Sequence, residues 1–352
     1  MDQSRVDTFA ERLVTEINAG MSCLNLYLGL RLGLYQALAD VGPAGLAELA
    51  RRTETNERYL REWLECMVVG GYLDYAPDTA RFSIPSEHAL VLLDRDNAAY
   101  LGSLIAYIPI FAGVLNPLME AFRTGGGVPF AAYGPEMVES ASMANRPMFI
   151  RDYVSRWIPA LPDIEARLKA GGRVAEMGCG SGWSSISLAQ GFPRVQVDGV
   201  DMDAASIEQA GYNAQRAGVA DRVTFHVGAA EEMCLNPPYD LVTAIECLHD
   251  MAYPVRVLRR MRELVDSDGA VLIIDEAVGD SLTENHNFLG HLFYNVSVLH
   301  CLPQAMVFPE TAGTGAVMGA STLRKYAEEA GFVQVEVLPI ENAFWRFYRL
   351  IP

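Results

Sequence analysis

The chain has 352 residues, of which 51% are hydrophobic, and a formal net charge of −17 at pH 7. This length predicts two domains, because a single hydrophobic core rarely organises a chain of that size. The negative charge disfavours binding to the phosphate backbone of nucleic acids and to anionic membrane surfaces. The amphipathic first 20 residues do not resemble a secretory signal. Six dispersed cysteines without a C-x-x-C pair predict reduced thiols in a cytoplasmic protein: Cys23, Cys66, Cys179, Cys234, Cys247 and Cys301.

Residues 1–122 predict a mainly helical domain. Leucines recur on overlapping helical faces in residues 24–38. Residues 45–71 then follow the order helix, turn, helix, with Thr55 or Asn56 as the expected N-cap. A Pro-Asp turn and an alternating Arg-Phe-Ser-Ile run come next and would form a small hairpin. Together these elements predict a winged helix.

A winged helix often binds DNA through its second helix. Here that helix carries three acids and two arginines: Glu57, Glu62, Glu65, Arg58 and Arg61. It brings no net positive charge to a DNA groove, so we predict a dimerisation module and no nucleic-acid partner. A ligand-sensing regulator is a hypothesis of a different class, and it requires salt-sensitive DNA binding.

The stretch from Tyr100 to Met119 contains no charged residue and is about as long as a membrane span. Pro109 would divide a helix here into two, and no cluster of Lys or Arg flanks the stretch. We therefore expect buried helices that line a pocket or a subunit interface, and no membrane partner.

A stretch rich in glycine and proline follows at residues 123–145. A loop of that length inside a compact protein is usually functional. We predict that it folds over a site and carries Tyr133 or Met143 into a substrate pocket. A simple interdomain linker is the alternative. Residues 123–165 are accordingly assigned to connecting helices and this loop.

The most informative motif is VAEMGCGSGWSSI at residues 174–186. A short apolar strand leads into an acid and three alternating glycines: Glu176, Gly178, Gly180 and Gly182. Glycines at the carboxyl end of a strand let the backbone turn and approach a ligand closely. A dinucleotide fingerprint, G-x-G-x-x-G, requires glycine at position 183, where this chain has Trp183. A nicotinamide-dependent oxidoreductase is therefore disfavoured.

Further predicted strands alternate with helical segments, as in an α/β domain. The next apolar run ends in Asp201, at the distance where a βαβ unit places a carboxylate for ribose hydroxyls. Residues 222–227, 239–245 and 270–274 predict three more strands, with helical segments between them. Strands that alternate with helices predict a parallel, doubly wound sheet.

The glycine motif and Asp201 resemble motif I and the ribose-binding acid of class I S-adenosylmethionine-dependent methyltransferases, from residue 171 onward. This resemblance implies an α/β fold with a mostly parallel, doubly wound sheet and an antiparallel last strand. The N-terminal pattern is similar to the winged-helix dimerisation domain of small-molecule O-methyltransferases, which implies a homodimer. Residues 166–352 would form the methyltransferase domain.

Under this resemblance the chain transfers a methyl group from S-adenosylmethionine to a small-molecule acceptor and releases S-adenosylhomocysteine. The family's cofactor contacts fall on Glu176, Gly178, Gly180, Gly182, Trp183, Asp201, Met202, Ala229, Ala230, Glu246 and Cys247. Many relatives carry an aspartate where this chain has Ala229 and Ala230. We therefore expect adenine recognition through backbone groups and apolar packing, with Glu231 as a substitute.

His249 is the candidate for catalytic chemistry. It follows the fourth strand, at the edge where open α/β sheets bind ligands. An ordinary histidine pKa of about 6.5 leaves the ring able to accept a proton at cell pH. The sequence CLHDM resembles the LHDW-type motif of winged-helix O-methyltransferases, which implies that His249 is the general base. Asp250 would orient the site or cap the helix predicted at 254–264.

A rival mechanism uses the same histidine as a metal ligand. His249, Asp250 and His300 would bind a mononuclear iron with open positions. A branch that resembles this family methylates the carbon beside the keto group of α-keto acids in this way. His291 and His300 also lie after the fifth strand, where they are candidates for substrate contact. Whether oxygen, nitrogen or carbon is methylated stays open at this point.

Overall fold

The computed structural model describes all 352 residues and divides them into two compact units, residues 1–112 and 113–352. The predicted first domain extended further, to residue 122. The segment predicted as a connection, residues 123–165, belongs wholly to the second unit. Each unit has its own hydrophobic core.

The first unit has the element order of a winged helix, which confirms that prediction. Asn56 caps α4 by accepting a hydrogen bond from the backbone N–H of Arg58 at 2.9 Å. Two short antiparallel strands form the wing, and Ala44 bridges to Phe82 beside them. The elements are α1 (Gln3–Arg31), α2 (Leu34–Val41), α3 (Leu46–Thr53), α4 (Glu57–Val69), β1 (Asp74–Ala76), β2 (Arg81–Ser83) and α5 (Ser86–Leu93), followed by a 3-10 turn (Leu104–Ala106) and α6 (Tyr107–Gly113).

The longest helix, α1, carries a row of exposed apolar side chains. Only Leu26 and Gly29 of its 29 residues are buried. Four apolar residues spaced three or four apart are 40% to 60% exposed: Phe9, Leu13, Ile17 and Met21. Residues at that spacing lie on one face of a helix. The helix therefore presents an apolar stripe, which is unusual for a surface that meets only water.

The second unit is built on a seven-stranded sheet with the order β5-β4-β3-β6-β7-β9-β8. Adjacent pairs from β5 to β7 are parallel, whereas β9 runs antiparallel to both β7 and β8. The predicted doubly wound sheet with an antiparallel last strand is confirmed. The strands are β3 (Arg173–Met177), β4 (Gln196–Asp201), β5 (Val223–Val227), β6 (Tyr239–Ile245), β7 (Val265–Glu276), β8 (Gln334–Val337) and β9 (Trp345–Ile351).

Alternate residues of the central strands face opposite layers of the core. Val174 packs in one cluster with Trp157, and the next residue, Ala175, packs in another with Met261 and Leu323. Successive side chains of a strand point to opposite faces, so a strand covered on both faces reads as an unbroken apolar run. The helices of this unit are α7 (Leu115–Thr124), α8 (Pro135–Met148), α9 (Pro162–Ala170), α10 (Trp183–Gly191), α11 (Ala204–Ala217), α12 (Pro254–Leu264), α13 (Phe288–Val296), α14 (Leu302–Ala305) and α15 (Ala320–Ala330).

The long loop predicted at residues 123–145 is wrong, because most of this stretch is helical. A 3-10 turn spans Phe130–Tyr133, and α8 begins at Pro135. Proline is tolerated in the first turn of a helix, since the N–H that it lacks would have no partner there. The irregular residues are 125–129 and 134. After α8 the chain continues into a π-helix, Phe149–Trp157.

No single helix is long and apolar enough to cross a membrane. The bent pair Gly102–Gly113 and Leu115–Thr124 passes that test only when the two helices are taken together, by length and composition. The expected burial is found only in part: Ile110, Phe111 and Leu118 are buried, whereas Ile108, Leu115 and Met119 are more than 40% exposed.

Candidate active site

The three glycines after β3 form a tight loop at the carboxyl edge of the sheet. Gly178, Gly180 and Gly182 all have positive φ, at 71°, 50° and 79°. A Cβ at Gly178 would lie 2.6 Å from the sulfur of Cys247, and one at Gly182 would lie 2.5 Å from the ring of Phe225. A Cβ at Gly180 would have no neighbour within 4 Å. The middle of the loop therefore faces open space, where a ligand can approach the backbone.

Asp201, at the end of β4, holds this loop in place. One carboxylate oxygen accepts a hydrogen bond from the backbone N–H of Gly180, and the other accepts one from that of Asp203, both at 2.9 Å. Burial raises the pKa of Asp201. A carboxylate has about four acceptor positions, so each oxygen keeps one for a ligand hydroxyl. This arrangement suits the ribose role that the sequence predicts.

His249 and Asp275 form a buried pair at the same edge of the sheet. His249 lies on a 3-10 turn after β6, and Asp275 lies near the end of the neighbouring parallel strand β7. Nδ1 of His249 lies 2.5 Å from Oδ1 of Asp275 and 3.0 Å from Oε2 of Glu276. The exposed fractions of His249 and Asp275 are 2% and 0%. One ring N–H cannot satisfy both acids, and the shorter contact assigns it to Asp275.

Two neighbouring acids, Asp275 and Glu276, shift the pKa of His249. Burial disfavours the charged ring, but the carboxylates of Asp275 and Glu276 outweigh burial and raise the pKa of His249 well above its usual value. Burial alone would raise the pKa of Asp275, yet the charge and hydrogen bond of His249 lower it. Burial raises the pKa of Glu276 well above its usual value. Because Nδ1 donates to Asp275, a proton would be accepted by the second ring nitrogen, and the ring also hydrogen-bonds with the thiol of Cys301.

Asp250 and Cys301 complete the surroundings of His249. Donor atoms of His249, Asp250 and Cys301 all lie within 4.8 Å of one another. The predicted metal set named His300 as the third ligand, whereas Cys301 supplies the third donor atom of this group. Burial raises the pKa of Asp250 to about 6. The alternative role of Asp250 as a helix cap is wrong, because the N-cap of α12 is Tyr253.

Comparison with known families assigns both parts of this chain. Residues 168–329 match the family described as "Methyltransferase domain", and residues 20–94 match the family described as "Rv2258c-like winged HTH domain". Residues 168–329 are therefore similar to a methyltransferase domain. Together with the sheet order and the glycine loop, this match confirms the class I methyltransferase fold with a preceding winged helix.

A curated relative and two solved structures illustrate the likeness. The 27-O-demethylrifamycin SV methyltransferase of Amycolatopsis mediterranei (strain S699) is 29% identical over 138 residues, which cover 39% of this chain and 47% of that protein. The human N-acetylserotonin methyltransferase, solved with S-adenosylmethionine, has a TM-score of 0.71 at 17% identity, covering 97% of both chains. The O-methyltransferase NcsB1 from neocarzinostatin biosynthesis has a TM-score of 0.65 at 18% identity, covering 94% of this chain and 95% of that one.

The curated relatives match only part of this chain, whereas the structural neighbours match nearly all of it. The chain spans less than half the length of the first curated relatives that it matches. The structural neighbours share the fold across nearly the whole of this chain, at identities too low to carry an activity from one to another. The NcsB1 structure holds S-adenosylmethionine and 2-hydroxy-5-methyl naphthoic acid.

Within the methyltransferase domain, Glu176 does not face the open side of the loop. Its exposed fraction is 3%, and its two carboxylate oxygens accept hydrogen bonds from the hydroxyls of Ser184 and Ser185. Burial raises its pKa to about 7. Glu176 therefore fastens the first turn of α10 to β3, so its predicted cofactor role is indirect.

Helix α8 lies against the glycine loop, a contact that the sequence did not predict. The hydroxyl of Ser142 accepts hydrogen bonds from the hydroxyl of Ser181 at 2.7 Å and from Nε1 of Trp183 at 2.9 Å. The guanidinium carbon of Arg146 lies 4.6 Å from the centre of the Trp183 ring. Trp183 thus contacts α8 directly. Asn145, on the same side of α8, hydrogen-bonds to Glu246.

Glu246 and Cys247 lie between the loop and the His249 pair. Glu246 has φ 52°, a left-handed conformation that a non-glycine residue adopts at some energetic cost. Nε1 of Trp345 donates a hydrogen bond to its carboxyl, and burial raises its pKa to about 8. The thiol of Cys247 donates to the carbonyl of Met177 at 3.2 Å. Both residues stay candidates for cofactor contact.

The residues predicted for the adenine end lie on the next two strand ends. Met202 follows β4 and is 59% exposed, whereas Ala229 and Ala230 follow β5 and are half-buried. The backbone N–H of Gly228 donates to the carbonyl of Asp201 at 2.9 Å and ties the two ends together. An apolar adenine site of the expected kind is compatible with this arrangement.

Four residues were predicted to contact the substrate, and of these Tyr133 and His300 contact each other. Tyr133 donates its hydroxyl proton to the carbonyl of Leu299 at 2.7 Å, and its ring centre lies 4.7 Å from that of His300. Burial and the nearby His249 lower the pKa of His300 to about 3. Met143 is half-buried on α8, whereas His291 is exposed on α13. Tyr133 and His300 therefore form the contact, and His291 lies outside the buried group.

Proposed function

We propose that this chain is an S-adenosylmethionine-dependent methyltransferase that acts on a small-molecule acceptor. The observation that carries the proposal is the buried His249–Asp275 pair, at the sheet edge that also holds the glycine loop. The methyltransferase domain match and the S-adenosylmethionine-bound structural neighbours support the cofactor assignment. Such a cofactor supplies a methyl group that is already activated by its sulfonium.

The residues present fit that cofactor. The open face of Gly180 lets the amino-acid part of the cofactor lie against the loop backbone, which a Cβ there would obstruct. Asp201 would accept hydrogen bonds from the two ribose hydroxyls. Met202, Ala229 and Ala230 would pack on the adenine ring, with backbone groups as its hydrogen-bond partners.

His249 would accept the proton that the acceptor loses on methylation. Asp275 fixes the ring so that its second nitrogen is presented, and it stabilises the ring when the proton arrives. Both effects need a neutral His249 at the start of the reaction. Positioning of the acceptor in line with the methyl carbon supplies the rest of the rate enhancement.

A second candidate function is a metal-assisted transfer in which His249 is a ligand. The observation that favours it is the convergence of His249, Asp250 and Cys301. Asp275 hydrogen-bonds to the histidine, as carboxylates often do to metal-bound histidines. Elemental analysis of the purified protein tests it. Stoichiometric iron or zinc that is lost in Cys301→Ser would favour this candidate, and a metal-free, active protein would end it.

We also propose a cytoplasmic homodimer without a nucleic-acid partner. The apolar stripe of α1 offers a surface that a second copy of this chain would cover. The acidic residues of α4 oppose DNA binding, and its Arg58 is already paired with Glu62. The six cysteines are free, as in a reducing compartment.

Calorimetry and a transfer assay test the main proposal. The protein should bind S-adenosylhomocysteine and not NADH, and the reverse result would refute it. His249→Ala should keep the affinity for S-adenosylhomocysteine and lose methyl transfer. The matched control is His286→Ala, since His286 is exposed, and this variant should transfer methyl at the wild-type rate.

A further inference from the structure

The surroundings of His249 contain many acids and no paired base. Four carboxyl groups lie on the segments that follow β6 and end β7: Glu246, Asp250, Asp275 and Glu276. None of the four has a Lys or Arg nitrogen within 4.0 Å, and the one cation that pairs with any of them is His249.

The protonation of these acids reflects the missing positive charge. Burial raises the pKa of Glu246 to about 8 and that of Glu276 well above its usual value. Asp275 keeps its charge, because His249 compensates it. Two buried oxygens in the group, Oδ2 of Asp275 and Oε2 of Glu276, have no hydrogen-bond donor. The site is therefore short of positive charge.

Two arginines on neighbouring elements make contacts of their own. Arg146 lies over the ring of Trp183. Arg346 donates to the carbonyl of Val278 at 2.7 Å and to the hydroxyl of Tyr348 at 3.4 Å. Arg346 lies opposite Asp275 in the sheet, but no ion pair joins its guanidinium to the four carboxyl groups.

We infer that the acceptor reaches His249 uncharged or positively charged, and that carboxylic acids and phosphate esters are excluded. This inference rests on the proposed function. A negative charge brought beside Asp275 would be buried without a partner, which is strongly unfavourable. A neutral hydroxyl or amine would instead supply donors to the unpaired carboxyl oxygens.

This chain would therefore differ in substrate charge from the NcsB1 neighbour, whose structure holds a naphthoic acid. It would also exclude an α-keto acid as the acceptor in the absence of a bound metal, because such an acid brings its own carboxylate.

The charge class can be measured before the acceptor is identified. A protein-free small-molecule extract of the source cells is divided by ion exchange into anionic, neutral and cationic fractions. Each fraction is incubated with the full-length protein and methyl-labelled S-adenosylmethionine. We expect label in the neutral or cationic fraction at least tenfold above the anionic fraction. Label mainly in the anionic fraction would overturn the inference while upholding the methyltransferase. Label in none of the fractions would overturn the proposed function, and the inference with it.

A charge variant gives a second readout. Asp250→Asn removes one acidic group beside His249 and should raise the ratio of anionic to neutral transfer about tenfold, whatever its effect on the absolute rate. Asp221→Asn is the matched control. Asp221 is exposed and precedes the first residue of β5, Val223, and its replacement should leave the ratio unchanged. Affinity for S-adenosylhomocysteine confirms that each variant is folded. An unchanged ratio in a folded Asp250→Asn protein contradicts the inference.

Discussion

Asp275 accepts a hydrogen bond from Nδ1 of His249 at 2.5 Å, although the two residues are 26 positions apart in the sequence. The contact exists because β6 and β7 are parallel neighbours, with Ile245 opposite Ile274. The segments that leave both strands therefore start at the same edge of the sheet. This edge also carries Asp201 and the glycine loop, so the fold brings a proton acceptor and a cofactor loop together.

Replacing the acid of this pair should disable the histidine without affecting the cofactor. In Asp275→Asn the side-chain amide can donate to Nδ1, which would place the ring proton on the nitrogen needed for catalysis. We expect kcat to fall about 100-fold or more, with unchanged affinity for S-adenosylhomocysteine. Steady-state rates and calorimetry measure the two quantities. A variant with normal kcat would show that His249 does not act as the base.

The rate of methyl transfer should rise with pH. Burial disfavours the charged ring of His249, but Asp275 and Glu276 outweigh it and raise the pKa above 6.5. A base works only when unprotonated, so lowering the pH through this pKa removes activity. We expect kcat/KM to increase across neutral pH, with a midpoint above 6.5, and the midpoint to shift downward in Asp275→Asn. A profile that is flat between pH 6 and 9 would contradict this assignment.

A substitution at Gly180 should weaken cofactor binding much more than it destabilises the fold. Gly180→Ala adds a methyl group that meets no protein atom within 4 Å, so the cost to folding is mainly the left-handed φ of 50°, about 1 kcal/mol. The same methyl group would obstruct the cofactor, and we expect at least tenfold weaker binding of S-adenosylhomocysteine. Calorimetry and denaturant unfolding measure the two effects.

The control for this glycine lies in α11. Gly211→Ala also meets no atom within 4 Å, and its backbone is helical, so alanine should stabilise the protein by up to about 1 kcal/mol. It should leave cofactor affinity unchanged. Equal losses of affinity in both variants would mean that the loop does not contact the cofactor.

The features that sequence reasoning predicted correctly depend on local signals. The glycine loop, the strand end at Asp201 and the helix at 254–264 follow from turn residues and periodicity within a few neighbouring positions. The prediction at 123–145 failed because glycine and proline were taken as signs of a continuous loop. Pro135 instead starts a helix, where proline is compatible with the first turn.

The contacts that the sequence did not predict join distant segments. Ser142 and Trp183 are 41 positions apart, and their hydrogen bond depends on where α8 packs. The His249–Asp275 pair depends on strand order, which one sequence does not specify. One signal was present, however, since both residues follow apolar runs that were predicted as strands. Parallel strands bring the residues that follow them to the same edge of the sheet. An acid that follows a neighbouring strand is therefore a candidate hydrogen-bond partner for a histidine at that edge.

The apolar stripe of α1 should hold two copies of the chain together. Leu13→Glu with Ile17→Glu places charges on the stripe, and we expect the mass measured by light scattering to fall from that of a dimer to that of a monomer. Both side chains are at least 40% exposed, so the fold of one copy should be unaffected. Glu11→Gln, exposed on the side of the same helix away from the stripe, is the control and should stay dimeric. A wild-type protein that is monomeric at micromolar concentration would contradict the proposed homodimer.

Glu176 should make the protein less stable as pH rises. Burial raises its pKa from about 4.5 in the unfolded chain to about 7 in the folded one. Between these values the unfolded chain releases its proton first, so the free energy of unfolding decreases as pH rises through this window and stays lower above it. The size of this loss is about 3 kcal/mol.

The variant Glu176→Gln should remove that dependence. Glutamine cannot ionise, and its amide oxygen can still accept from Ser184 or Ser185. We therefore expect Glu176→Gln to be more stable than the wild type at pH 8, with the difference shrinking towards pH 5. Glu176→Ala leaves both serine hydroxyls without their acceptor and should be destabilised at every pH. Denaturant unfolding at several pH values measures all three proteins. A stability difference between wild type and Glu176→Gln that does not change with pH would show that Glu176 does not titrate in this window.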